Sequence, residues 1–185
     1  MSTEYPYDAG GPRMSSRAGR FASRRRVPAV SFRRLDVDRK TLLYFAYDAN
    51  IEPRRLADLA PGAAFEFIAH LPEWKMEYPI PNGDGGLPSV RPLPGNTVWG
   101  AVFSVKASDL TAIDEIEANE GRVRETTQAM DRAGHRHDVV THVSRSGHDE
   151  DLVPERSYVR LMVDGGRHWK LPAGWVAALE EHLGD

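Results

Sequence analysis

Strand-length apolar runs and helical apolar stripes alternate along the chain from residue 41 onward. Thr41–Tyr47 reads as a buried strand. It stops at Tyr47-Asp48-Ala49-Asn50, and a helix signal follows at once over Glu52–Leu59, with Pro53 in the first turn, where a missing N–H costs nothing. Ala64–His70 and Trp74–Tyr78 read as strands, "IPNGDGGLP" as a loop of turn residues, and Thr97–Val105 as a long buried strand. The pattern then turns helical from a Ser108 or Asp109 cap to about Asn119. Val123–Met130 and His137–Val143 form a predicted hairpin across "DRAGHR", and "GHDEDLVPE" reads as an exposed loop. Two helices close the chain, about Glu155–His168 and Pro172–Leu183. This order predicts an α+β domain whose strands curl toward a barrel. No internal repeat is visible.

Composition narrows the class. The 185 residues suit one domain with a real core. No apolar run approaches the length of a membrane span, and no signal-peptide core is present. The chain has no cysteine, which removes thiolate chemistry and fits a reducing, cytoplasmic compartment.

Charge divides the chain. Residues 1–40 carry ten Lys/Arg against four Asp/Glu, and residues 41–185 carry fourteen against twenty-three. The basic part, rich in Gly, Ser and Arg, reads as an arm and the rest as the folded body. The arm is a flexible tail or an over-extended start, since Met14 could begin the chain; the alternative is an arm that docks a protein partner or second subunit. Nucleic-acid binding is disfavoured because the body is acidic. Glu4 and Asp8 argue against a transit peptide.

Two features carry candidate chemistry. In "SDLTAIDEIEAN", Leu110, Ile113 and Glu117 stand at i, i+3 and i+7, on one helix face. Glu117 thus continues an apolar stripe, and a carboxyl against apolar neighbours can carry a proton near neutrality. The bland alternative runs the stripe through Ile116 and leaves Glu117 at its edge. The second feature is the strand-to-helix turn at Tyr47–Asn50. Its free backbone N–H groups would suit an oxyanion, or it is an ordinary tight turn with an Asx cap.

Other motifs are weaker. His135 and His137 share a strand face and His142 has the opposite parity, so no metal set is assigned. "GDGG" precedes no helix and is a turn. Trp74, Trp99, Trp169 and Trp175 read as core residues and not as a stacking platform. No Ser–His–Asp triad is proposed.

Four segments, in order, resemble the gamma-glutamylcyclotransferase-like (AIG2-like) family. They are "YFAYDAN" against a family Tyr-Phe-Ala-Tyr-Gly-Ser-Asn, "LPEWKMEY", "GNTVWGAVFSVKASDLTAIDEIE", and "PERSYVRLMVDGGRHWKLPAGWVAALE". The resemblance spans about residues 41–183. It implies a mixed, partly closed β-barrel with flanking helices. It also implies an enzyme that forms 5-oxoproline from a small-molecule gamma-glutamyl amide and releases an amine or amino acid, with no cofactor and no metal. Glu117 would be the general acid/base. Tyr44, Phe45, Ala46, Tyr47, Asp48, Ala49 and Asn50 would form the substrate cradle, with Tyr158 approaching from the C-terminal motif.

Two departures stand out. The family glycine is Asp48, which adds a β-carbon and a negative charge where a carboxylate would bind, and the family serine is Ala49. A rival register would use Glu120-Gly121; "IDEIE" keeps the family spacing and favours Glu117. Asp48 and Ala49 fit either an enzyme of altered specificity, favouring a cationic group in its substrate, or a non-catalytic subunit or binding module of a larger assembly.

Overall fold

The computed structural model describes residues 41–147 and 151–184. The arm expected over residues 1–40 lies outside them, as does part of the "GHDEDLVPE" loop.

Strand β1 (Thr41–Ala46) becomes wholly buried from Tyr44 onward. It ends one residue earlier than the apolar run suggests, because Asp48 begins a short 3-10 turn over Ala49–Ile51. The Asp48 carboxylate accepts from the Asn50 N–H at 2.9 Å, the Asx turn that this residue type favours. Glu52 then caps helix α1 (Pro53–Leu59), accepting from the Arg55 N–H at 2.7 Å.

The two strands expected over residues 64–78 are one bent strand, β2 (Ala64–Asn82), paired with β3 (Gly85–Lys106). Pro72 and the positive φ of Glu73 (63°) coincide with a break in register, so the pairing bends there instead of stopping. The predicted loop "IPNGDGGLP" shrinks to a hairpin turn. Gly83 supplies its positive φ (57°), and Asn82 already pairs with Gly85.

Helix α2 (Ala107–Asn119) leaves β3 directly and has no side-chain cap, so the expected Ser108 or Asp109 cap is not used. Its buried residues are Leu110, Ile113 and Glu117, while Ile116 is half-buried, so the stripe runs through Glu117. Burying Leu110 and Ile113 is worth about 1.5–3 kcal/mol each, which anchors the helix face that carries the carboxylate.

Strands β4 (Arg122–Asp131) and β5 (Arg136–Ser144) form the expected hairpin. Asp131 locks its turn by accepting from the N–H groups of Ala133 and His135 at 2.8 and 2.9 Å. His135 and His137 both pair with the other Asp131 oxygen, which accounts for their shared face.

The strands close a barrel in the order β1-β3-β2-β4-β5. Closure is made by β5 running parallel to β1 at Tyr44 and Val140, and by the Thr141 hydroxyl donating to the Phe45 carbonyl at 3.0 Å. Helices α3 (Arg156–His168) and α4 (Ala173–Glu181) complete the fold. The four tryptophans are half-buried against the two apolar clusters of the core. Among the described residues no helix is long and apolar enough to cross a membrane.

One helix contact fixes the 3-10 turn. A β-carbon on Gly165 of α3 would stand 2.5–2.6 Å from the Ile51 side chain and backbone. Gly165→Ala is therefore expected to destabilise the fold by about 1–3 kcal/mol through overpacking, read as a lower urea midpoint at unchanged slope. A midpoint equal to the parent's would mean that α3 does not set the position of this turn.

Candidate active site

Six elements converge at the barrel end where β1 stops. β1 brings Tyr44, the 3-10 turn brings Asp48 and Asn50, and α1 brings Arg55. α2 brings Glu117, with Glu120 just past its end. The positive φ of Gly121 (83°) turns the chain into β4, which opens with Arg122. Tyr158 arrives from α3.

Glu117 is fully buried and faces the strand-end loop. It does so by direct contact: one carboxyl oxygen accepts from the Asn50 amide and the other from Arg122 Nε. The same Asn50 nitrogen donates to the Tyr44 hydroxyl at 3.0 Å, and Arg55 Nε donates to the Asn50 side-chain oxygen at 2.8 Å.

Arg122, also fully buried, is the hub. Besides Glu117 it donates to the Pro88 carbonyl at 2.8 Å, to the Tyr158 hydroxyl at 2.7 Å, and to Glu120. Its guanidinium also stands 3.7 Å from the Asp48 carboxylate. Arg55 closes the network with a 2.9 Å pair to Glu120. Asp48 therefore pairs with Arg122, its charge also acts on Arg55, and Arg54 is exposed.

Three carboxyls thus meet two guanidiniums, and the cluster is neutral when one carboxyl holds a proton. Glu117 is the group placed to hold it. Burial, and next the charge of Asp48, push its pKa up to about 8 against the pull of Arg122. Burial opposes the charge on Arg122, but Tyr158, Glu117 and Asp48 outweigh it and raise the Arg122 pKa. Burial likewise raises the pKa of Tyr44 and Tyr158, so both hydroxyls keep their protons. His142 stands edge-on to Tyr44 at 5.8 Å, with Nε2 at 2.8 Å from Asp114, and burial lowers its pKa.

Of the residues singled out in the sequence, Tyr44, Asp48, Asn50 and Tyr158 gather around Glu117 through this network. Ala46 and Ala49 pack in the adjoining apolar cluster. Phe45 and Tyr47 point into the other cluster, as strand alternation requires, and the Tyr47 hydroxyl is spent on the His142 carbonyl at 2.7 Å. Asp48 has an extended backbone (φ −100°), so this turn places no demand for a glycine there.

Arg122 was not foreseen. Hydrophobic alternation starts the strand at Val123, yet Val123 is 37% exposed and Arg122 is fully buried. The signal that could have found it is the run Glu117, Glu120 and Arg122 around a turn glycine: two carboxylates followed at once by a cation. Both candidate registers, Glu117 and Glu120, converge on that one guanidinium.

No family model matches the chain. The bovine protein named gamma-glutamylcyclotransferase is 24% identical over 141 residues, covering 73% of this chain and 75% of the relative. The human protein of that name is 34% identical over 86 residues, 43% of this chain and 46% of the relative. Among solved structures, one named gamma-glutamyl cyclotransferase superimposes with a TM-score of 0.70 at 24% identity, covering 76% of this chain and 87% of that one. The chain is thus similar in sequence to curated proteins named gamma-glutamylcyclotransferase and shares its barrel fold with a solved structure of that name.

Proposed function

We propose that the chain is a gamma-glutamylcyclotransferase-type enzyme, converting a gamma-glutamyl amide to 5-oxoproline and a free amine or amino acid. The observation that carries the reading is the fully buried Glu117 carboxyl, bonded to Asn50 of the strand-end loop and raised in pKa to about 8. A carboxyl in that range exchanges protons near neutral pH.

In the reaction, the substrate's α-amine attacks its own γ-carbonyl carbon. Glu117 acts in its ionised form, reached near neutral pH, and takes the proton shed as the new C–N bond forms. It returns that proton to the leaving nitrogen as the amide C–N bond breaks. The carboxyl ends as it began, and no other reactant enters the balance. Both reacting groups lie in one molecule, so ring closure needs little beyond orientation. Arg122, beside Glu117, is the cation suited to the substrate's carboxylate, and its charge offsets that of Asp48.

A second reading has its own support. Each of the three Arg122 guanidine nitrogens already donates within the protein, to Glu117, Pro88, Glu120 and Tyr158. An internal cation so fully engaged fits a non-catalytic module, docked through residues 1–40. Mass detection of 5-oxoproline and free amine from a panel of gamma-glutamyl compounds tests the choice. Product formation supports the enzyme; a folded protein that turns over none of the panel supports the module.

The loop departures give a sharper test. A carboxylate about 4 Å from a substrate carboxylate costs roughly 1–4 kcal/mol at effective dielectrics of about 80–20, and Arg122 beside Asp48 holds the figure near the lower end. Asp48→Gly with Ala49→Ser is expected to raise kcat/KM on gamma-glutamyl-alanine by about 5–10-fold. It is expected to lower kcat/KM on a gamma-glutamyl compound with a cationic head. Removing Asp48 also removes a charge that raises the Glu117 pKa, so the limb of the pH–rate profile set by Glu117 moves to lower pH. Unchanged efficiency on both substrates would mean that the loop does not touch the ligand.

A further inference from the structure

We propose that Arg55 is a positioning residue for the Glu117 carboxyl: by holding the Asn50 side-chain oxygen, it fixes which end of the Asn50 amide Glu117 meets. The inference rests on the proposed acid/base role of Glu117 and names a residue that acts on that role through Asn50.

A carboxamide has two ends of similar shape and opposite hydrogen-bonding character, and a half-turn exchanges them. Asn50 is fully buried, with both amide hydrogens and the oxygen engaged. Nδ2 donates to Glu117 and, at 3.0 Å, to the Tyr44 hydroxyl. Oδ1 accepts from Arg55 Nε at 2.8 Å. A hydroxyl donates or accepts, and a carboxyl does either according to its protonation, so neither Tyr44 nor Glu117 selects an orientation. A guanidinium only donates. A half-turn of the amide would set Nδ2 against Arg55 Nε, donor against donor, and Arg55 therefore makes the choice.

Arg55 is itself held. Its Nη2 pairs with Glu120 at 2.9 Å, and its guanidinium lies 5.7 Å from the centre of the Tyr158 ring. Its side chain keeps 28% exposure while Asn50 and Glu117 have none, so a residue at the rim orients a sealed amide.

The orientation matters to the proton. An N–H aimed at a carboxylate favours its ionised form, and a carbonyl oxygen in its place favours the protonated form. The charges around Glu117 come from several elements: Asp48 of the 3-10 turn, Glu120 beyond α2, Arg122 of β4 and Arg55 of α1. The hydroxyls of Tyr44, Tyr47 and Tyr158 also feel its charge. His142 of β5, paired with Asp114, stands against Tyr44. A variant that frees the Asn50 amide leaves all of these except Arg55 in place.

The test compares Arg55→Gln with Arg55→Met in the full-length protein. Both remove the charge, so its effect on Glu117 cancels between them. Gln carries a nitrogen on Cδ, where arginine carries Nε, and keeps a donor for Asn50; the adjoining Glu120 carboxylate favours that end of the new amide. Met has no donor. Both residues are good helix formers. The Glu117 carboxyl carbon, identified by its loss in Glu117→Gln, is followed by ¹³C NMR across pH. Its midpoint in Arg55→Met is expected about one pH unit above that in Arg55→Gln. Arg55→Leu, a second donor-free variant, is expected to match Arg55→Met. Below both midpoints, kcat/KM in Arg55→Met is expected about tenfold under that of Arg55→Gln, and the two converge at high pH. The carboxyl titration needs no turnover, so a chain inactive on gamma-glutamyl compounds would remove the proposed activity and still leave this comparison decisive. Equal midpoints in the Gln, Met and Leu variants, or a lower midpoint in Met than in Gln, would overturn the proposal.

Discussion

Glu117→Gln is expected to fold as the parent does and to lose gamma-glutamyl turnover by about two orders of magnitude or more, the usual worth of an acid/base group. The amide mimics the protonated carboxyl in shape and charge. It preserves the neutral charge of the cluster around Arg122 and removes the proton exchange, together with one of the two acceptors that face Asn50 and Arg122. The same variant has a signature in stability. The Glu117 pKa rises from its ordinary 4.5 to about 8 in the folded protein. Between those pH values the folded state holds a proton that the unfolded chain has released. Stability from this group is therefore full below about pH 4.5 and is lost as pH rises through about 8. In Glu117→Gln that decline should disappear, read from urea midpoints across the window. Retained turnover would remove Glu117 from the acid/base role. Lost turnover with the decline still present would show that another group holds the proton.

Arg122→Met is expected to cost about 3–5 kcal/mol of stability, because it leaves Asp48, Glu117 and the Pro88 carbonyl facing an apolar side chain in a buried site. For a chain of this size that corresponds to a fall of roughly 6–20 °C in Tm. Arg122→Lys keeps the charge but cannot reproduce the fork that reaches Glu117, Pro88, Glu120 and Tyr158 together, so it should fall between parent and Met. Lys restoring Tm while turnover stays low would separate a positioning role from a purely structural one. A Tm within a degree or so of the parent in Arg122→Met would mean that the carboxylates neutralise one another by taking up protons, and that the arginine is not the hub of the cluster.

Much of this architecture was legible in the residue pattern. Period-2 and helical stripes located most of the elements, and the i, i+3, i+7 spacing of Leu110, Ile113 and Glu117 set the carboxylate on the buried face. The break of β1 at Asp48 marked the loop that meets it. These features are local, set by backbone geometry and side-chain spacing within a few residues. What the sequence could not show depends on pairs far apart in the chain. The bend at Pro72–Glu73 keeps one strand continuous only because β3 pairs on both sides of it. Barrel closure rests on a parallel contact between residues 44 and 140. Arg122 occupies a position whose neighbour, Val123, is the one a hydrophobicity rule would bury. It is buried instead because carboxylates from the 3-10 turn and α2 compensate its desolvation, together with the carbonyl of Pro88. By itself the sequence determined which faces would be apolar and where a carboxyl would lie among them. Only the tertiary structure decided which cation that carboxyl would meet, because a buried charge is tolerated only where distant segments bring its partners within a few ångströms.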